Sequence, residues 1–150
     1  MFRDIIHNLP LVAAVVGWLV AQLIKLLNFI VREHKFDYGF FFRLGGMPSS
    51  HTASAAACAT SVGLCTGFGS PVFAVAAGLL ALIMIDAQSV RRAAGVQARL
   101  LNQIAEEFYR HHKFSPEKLV EFLGHTRLEV LMGALLGIVI ALLVHGYYPV

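Results

Sequence analysis

Three stretches of this chain are so apolar and so long that water cannot be their main solvent. From Leu9 to Val31 the only polar side chains are Gln22, Lys25 and Asn28, in a run that also holds Trp18. Pro71 to Ile85 has no polar side chain, and Leu128 to Tyr148 is nearly as apolar. A hydrocarbon core of about 30 Å is crossed by roughly 20 apolar residues in a helix. In lipid, every backbone group must be satisfied within the segment, which selects helices here. Composition agrees: 57% of residues are hydrophobic and 14% charged, against about 25% charged in a typical soluble domain. The first run lacks the basic start and small-residue cleavage site of a signal peptide, so it is expected to be retained.

A fourth segment is less obvious. Residues 48–67 are rich in Ala, Ser, Thr, Cys and Gly and only mildly apolar. Small residues let helices approach closely in a membrane, so this segment reads as an interior helix. Gly67-Phe68-Gly69-Ser70-Pro71 reads as a tight turn into the next span. The stretch 86–127 is polar and charged. It reads as a helix continuing past the membrane, a break near His112–Phe114, and a short amphipathic helix at 116–123 with Ser115 as N-cap and Pro116 at the first helical position. The expected fold is therefore all-α: one domain over residues 1–150, a polytopic membrane helix bundle of about four transmembrane helices with a cytoplasmic helical extension.

With four spans, the connections 32–47 and 86–127 lie on one membrane face. Ten of the twelve Lys and Arg residues are in them. The positive-inside rule makes that face cytoplasmic, in a cell (inner) membrane, with both termini outside. The net charge of +3 is small, and the basic residues form no stripe with interleaved aromatics, so nucleic acid is not an expected partner. Cys58 and Cys65 match no zinc or redox spacing and read as small packing residues. A homo-oligomer is left open by the sequence.

The same face gathers three polar clusters at helix ends. One is Gly45-Gly46-Met47-Pro48-Ser49-Ser50-His51-Thr52. The second is Asp86-Ala87-Gln88-Ser89-Val90-Arg91-Arg92, and the third Gly124-His125-Thr126-Arg127-Leu128-Glu129. Single polar residues at a membrane boundary are usually just solvated. Three clusters at one depth point instead to a site, because ionisable groups near the membrane core are costly to keep. Gly46, Ser49 and Ser50 form a tight loop feeding a helix N-terminus, where backbone N–H groups and the helix dipole favour an anion. Arg91 and Arg92 add planar donors suited to phosphate oxygens. Gln88, Arg92, Arg99 and Gln103 fall near one face of a continuous α-helix, which makes Arg92 the preferred ligand. Asp86 is a further site candidate. His125 and Glu129 stand one helical turn apart, so the carboxylate can hold one imidazole nitrogen and leave the other to attack. His51 can then protonate a leaving group. The set needs neither a metal nor a cofactor.

At these residues the chain resembles a known family. Pro48-Ser49-Ser50-His51 is similar to the Pro-Ser-Gly-His motif of the type 2 phosphatidic acid phosphatase superfamily, and His125-x-x-x-Glu129 to its His-x-x-x-Asp motif. Gly45-Gly46-Met47-Pro48-Ser49-Ser50-His51, Asp86-Ala87 with Val90-Arg91-Arg92, and Leu123-Gly124-His125-Thr126 carry a likeness to the divergent branch of that superfamily, labelled acid phosphatase/vanadium-dependent haloperoxidase related. The resemblance implies His125 as nucleophile, His51 as acid and Glu129 as the group that orients the nucleophile, with lipid phosphates as substrates. It also implies Lys35 and Arg43 as phosphate ligands of the first motif. Here seven residues separate those two instead of six, Leu44 replaces a proline, Lys118 and Leu119 stand where Ser-Arg is usual, and Glu replaces Asp at 129. Two functions are consistent with this pattern: a membrane lipid phosphate or pyrophosphate phosphatase working through a phosphohistidine, and a non-catalytic protein that binds or translocates an anionic lipid headgroup.

Overall fold

The computed structural model describes residues 5–33, 46–109 and 125–148, and for 32–33, 90–94 and 107–109 the backbone alone. Five helices make up these segments: α1 (Leu9–Glu33), α2 (Ser50–Thr66), α3 (Pro71–Ile85), α4 (Arg91–Tyr109) and α5 (Arg127–Tyr147). A π-helical turn, Asp86–Val90, joins α3 to α4. No strand occurs among the described residues. Lys35, Arg43, the break near His112–Phe114 and the short helix at 116–123 lie outside them.

Each boundary has a local cause. The Asn8 side chain accepts the Leu11 N–H at the start of α1 (3.2 Å). Ser49 caps α2, whose far end meets Gly67 at φ +85°, a left-handed conformation that a Cβ would strain. Ser70 caps α3 with Pro71 in its first turn, so the turn expected at 67–71 is present. At α5, Thr126 accepts the Glu129 N–H while the Glu129 carboxylate accepts the Thr126 N–H, a reciprocal capping box.

The bundle is organised around α2, which packs on α1, α3 and α5; α1 also packs on α5. The buried residues of α2 are Ser50, Thr52, Ala53, Ala56, Ala57, Ala59, Ser61 and Gly63, all small. Their partners on α5 include Gly133 and Gly137, four residues apart. A Cβ built on Gly133 would come within 2.5 Å of the Ser49 carbonyl oxygen, and one on Gly137 would overlap the Ala53 carbonyl. The backbones of α2 and α5 therefore touch, as small residues at this spacing allow in membrane helices. The Ser54 hydroxyl ties α2 to α1 by donating to the Ala14 carbonyl (3.0 Å).

Among the described residues, three helical stretches can cross a membrane by length and composition: Leu9–Val31, Pro71–Ser89 and Arg127–Tyr147. Four crossings were expected. Of the two other helices, α2 has 17 residues, about 25 Å at 1.5 Å per residue. It is covered by its neighbours, so it has no need of the apolar exterior that marks the other three. On α3 no residue is buried, and Val72, Val75, Leu79, Leu82 and Ile85 are exposed, a surface suited to hydrocarbon.

Candidate functional site

Two backbone hydrogen bonds bring the three polar clusters to one end of the bundle. The Ser49 N–H donates to the Glu129 carbonyl (3.0 Å), joining the start of α2 to the start of α5. The His125 N–H donates to the Ala87 carbonyl (3.1 Å), joining the approach to α5, two residues before the helix, to the π turn. That turn makes the second contact available. Within it the Ser89 hydroxyl donates to the Ile85 carbonyl (2.6 Å). The local ladder is displaced, as π turns inside helices commonly do near functional positions.

The π turn bears on one expectation. Placing Gln88 on one face with Arg92, Arg99 and Gln103 assumes a 3.6-residue period, and Gln88 lies within the π turn Asp86–Val90, ahead of the start of α4. Arg99 and Gln103 are exposed on α4. The backbones of Arg91 and Arg92 form its first turn.

His125 is buried, and its Nδ1 lies 3.0 Å from Glu129 Oε2. The same carboxylate oxygen accepts the Thr126 N–H at 3.0 Å, so the capping box that starts α5 also holds the carboxylate against the imidazole. With Glu129 ionised, the Nδ1 position carries the proton and Nε2 keeps its lone pair. Glu129 therefore fixes both ring orientation and tautomer.

Ser49 and Ser50 are buried inside the bundle end. The Ser49 hydroxyl accepts from the Thr52 N–H (3.4 Å) and the Thr52 hydroxyl (3.0 Å). Gly46, with φ +87°, is exposed in the loop ahead of them. His51, one residue into α2, lines a cavity of about 540 Å³ together with Asp86 and Ala87. Ala14, Trp18, Ala55, Cys58 and Leu82 continue the cavity along the bundle as a largely apolar channel between α1, α2 and α3. Ala87 thus borders the cavity that holds His51 and bonds the backbone of His125.

One participant escaped the sequence reading. Lys25 of α1 is only 4% exposed, and its ammonium donates to the Ser50 hydroxyl (3.2 Å). Its neighbours on the same face also turn toward this end: Gln22 is buried, and the Asn28 amide donates to the Met47 carbonyl (3.3 Å). The three interruptions of the first apolar run, spaced by three, were the available signal.

Comparison with known proteins gives a consistent picture. The model of the Divergent PAP2 family matches residues 6–140. The chain is 36% identical to the uncharacterized membrane protein YuiD of Bacillus subtilis (strain 168), over 97% of this chain and 99% of that protein. No solved structure matches it significantly.

Proposed function

The chain belongs to the Divergent PAP2 family, and on that premise we propose that it is a membrane lipid phosphate (or pyrophosphate) phosphatase with His125 as nucleophile. The observation that carries this reading is the buried His125–Glu129 pair at 3.0 Å, which leaves Nε2 as the attacking atom. Nε2 attacks phosphorus, the bond from phosphorus to the leaving oxygen breaks, and His51 gives its proton to that oxygen. Water then attacks the phosphohistidine. His51 takes the water's proton, the phosphorus–nitrogen bond breaks, and inorganic phosphate leaves. Glu129 stabilises the imidazole as it gains positive charge.

The anion is held by the loop at Gly46–Ser50 and the first turn of α2, with Arg91 and Arg92 as cationic forks and Lys35 and Arg43 as further phosphate ligands. Because the Ser49 hydroxyl takes the Thr52 N–H and the Ser49 N–H is bonded to the Glu129 carbonyl, this reading uses the N–H groups of Ser50 and His51. A cavity with His51 and Asp86 at one end and apolar walls beyond supports a phosphate on a hydrocarbon tail over a free sugar phosphate. We further propose that α2 crosses the membrane with the other three helices, that the site faces the cytoplasm, and that the partner is a membrane lipid with a phosphate headgroup.

The test is phosphate release from a panel of lipid phosphates and pyrophosphates by the purified protein in detergent, with trapping of labelled phosphoenzyme. An acid-labile adduct, absent from His125→Ala, is expected. The altered first motif favours a second reading, binding of an anionic headgroup without hydrolysis. Tight lipid phosphate binding with no release and no adduct establishes that one.

A further inference from the structure

Lys25 is a charge inside an apolar helix, and packing alone does not explain it. Burying an ammonium is expensive unless it is compensated, and an intramembrane ionisable residue calls for a named partner. One partner is the Ser50 hydroxyl at 3.2 Å. That contact does not serve α2 electrostatically, because Ser50 opens the helix, where the dipole favours an anion. The Glu129 carboxylate also acts electrostatically on Lys25, a smaller influence than the burial of the ammonium itself. Both partners lead into the site. Ser50 precedes His51, and Glu129 holds His125. The Ser49 N–H, one residue before Ser50, is itself bonded to the Glu129 carbonyl.

We propose that Lys25 is a positioning residue of the phosphoryl-transfer site: through Ser50 it anchors the α2 turn that carries His51 and that is bonded, at the Ser49 N–H, to the backbone of Glu129, the carboxylate holding His125. The proposal rests on the phosphatase reading. It assigns to α1 a role in the reaction that neither histidine motif contains. Since Lys25 acts through His125, its loss should lower kcat and leave KM nearly unchanged. A residue that held the phosphate itself would do the reverse.

The experiment compares wild type with Lys25→Met, which keeps length without charge, and Lys25→Arg, which keeps charge. Hydrolysis of a lipid phosphate is measured beside the ¹⁵N spectrum of histidine-labelled protein in detergent, with the His125 signals assigned through His125→Ala. We expect kcat of Lys25→Met to fall by about 10–100-fold, the range for groups that orient a reacting ligand from behind. KM should stay within about twofold, the His125 signals should move, and Lys25→Arg should recover most of the rate. A rise in KM with kcat kept, or an unmoved His125 spectrum with full activity, overturns the proposal.

A second measurement is independent of whether Lys25→Met folds. The lysines of this chain are Lys25, Lys35, Lys113 and Lys118, so the Lys25 signal can be followed in ¹³C-lysine-labelled protein. Glu129→Gln should shift it, and an unshifted signal overturns the coupling. If wild type hydrolyses no lipid phosphate at all, the phosphatase reading falls and takes the positioning role with it. Failure of the spectra with hydrolysis intact removes the Lys25 proposal alone.

Discussion

The two ends of the α2–α5 seam each hold a histidine, and they are built differently. At one end His125 meets a carboxylate at 3.0 Å, with a buried lysine, a glycine-bearing loop and a π turn around it. At the other, His145 Nε2 lies 2.9 Å from the buried Ser61 hydroxyl and 3.8 Å from the Cys65 sulfur. Among the described residues no carboxylate or cation is recorded in contact with His145. A histidine on this seam is thus not in itself a sign of chemistry. Ser61 and His145 satisfy each other's polar atoms between two apolar helices, as buried polar groups must. His125 is held by the Glu129 carboxylate, and the same end carries the buried Lys25 ammonium on Ser50. Charge complementarity, more than the presence of an imidazole, separates a candidate site from a structural tie.

Removing each histidine in turn should part the two ends most widely. His125→Ala is expected to abolish phosphate release and the acid-labile adduct. His51→Ala should come next with a loss of about 10²–10⁴, typical of a missing general acid. Glu129→Gln keeps an acceptor for Nδ1 but not the charge, and a milder loss of about 10–100-fold is expected. Steady-state rates of the three variants check the order; a Glu129→Gln rate below that of His51→Ala would contradict it.

Gly137→Ala tests the seam that both ends share. Its new Cβ would overlap the Ala53 carbonyl, so helices must separate. A destabilisation of about 1–3 kcal/mol is expected, as for overpacking, read as earlier thermal unfolding in detergent. Comparable in stability and smallest in its effect on rate is His145→Ala. Leaving the Ser61 hydroxyl unsatisfied should cost about 1–3 kcal/mol at most, while phosphate release stays within about threefold of wild type, a surface-like effect on rate of under 1 kcal/mol. A large loss of activity in His145→Ala would erase the distinction between the ends. The orientation can be checked without any substitution. Cys65 is exposed at the His145 end, so a membrane-impermeant maleimide should label it in intact cells if the histidine–carboxylate end faces the cytoplasm. Labelling only after lysis would reverse that assignment.

Much of this architecture was written in local patterns. Helical runs of the required length and the turn at 67–71 depend on residues close in the chain, and both are legible there. So is the i, i+4 relation of His125 and Glu129, since one turn of helix brings them together whatever surrounds them. The small residues of 48–67 pointed correctly to an interior helix. The same composition hid how that helix should be counted, because a segment wrapped by its neighbours carries no apolar signature of its own.

The helical class, the family resemblance and the motifs that each sit within one turn are thus properties of the sequence alone. The tertiary structure decided which of those motifs meet. The π turn could not be read from Asp86–Val90, since the Ala87 carbonyl within it meets the His125 N–H, a partner 38 positions away. Nor could the partners of Lys25 be read. Ser50 lies 25 positions away and Glu129 more than a hundred, so only the packing of α1, α2 and α5 brings the charges together. Local hydrogen bonds and periodicity are properties of neighbouring residues, whereas the pairing of buried charges is set by which helices share a face.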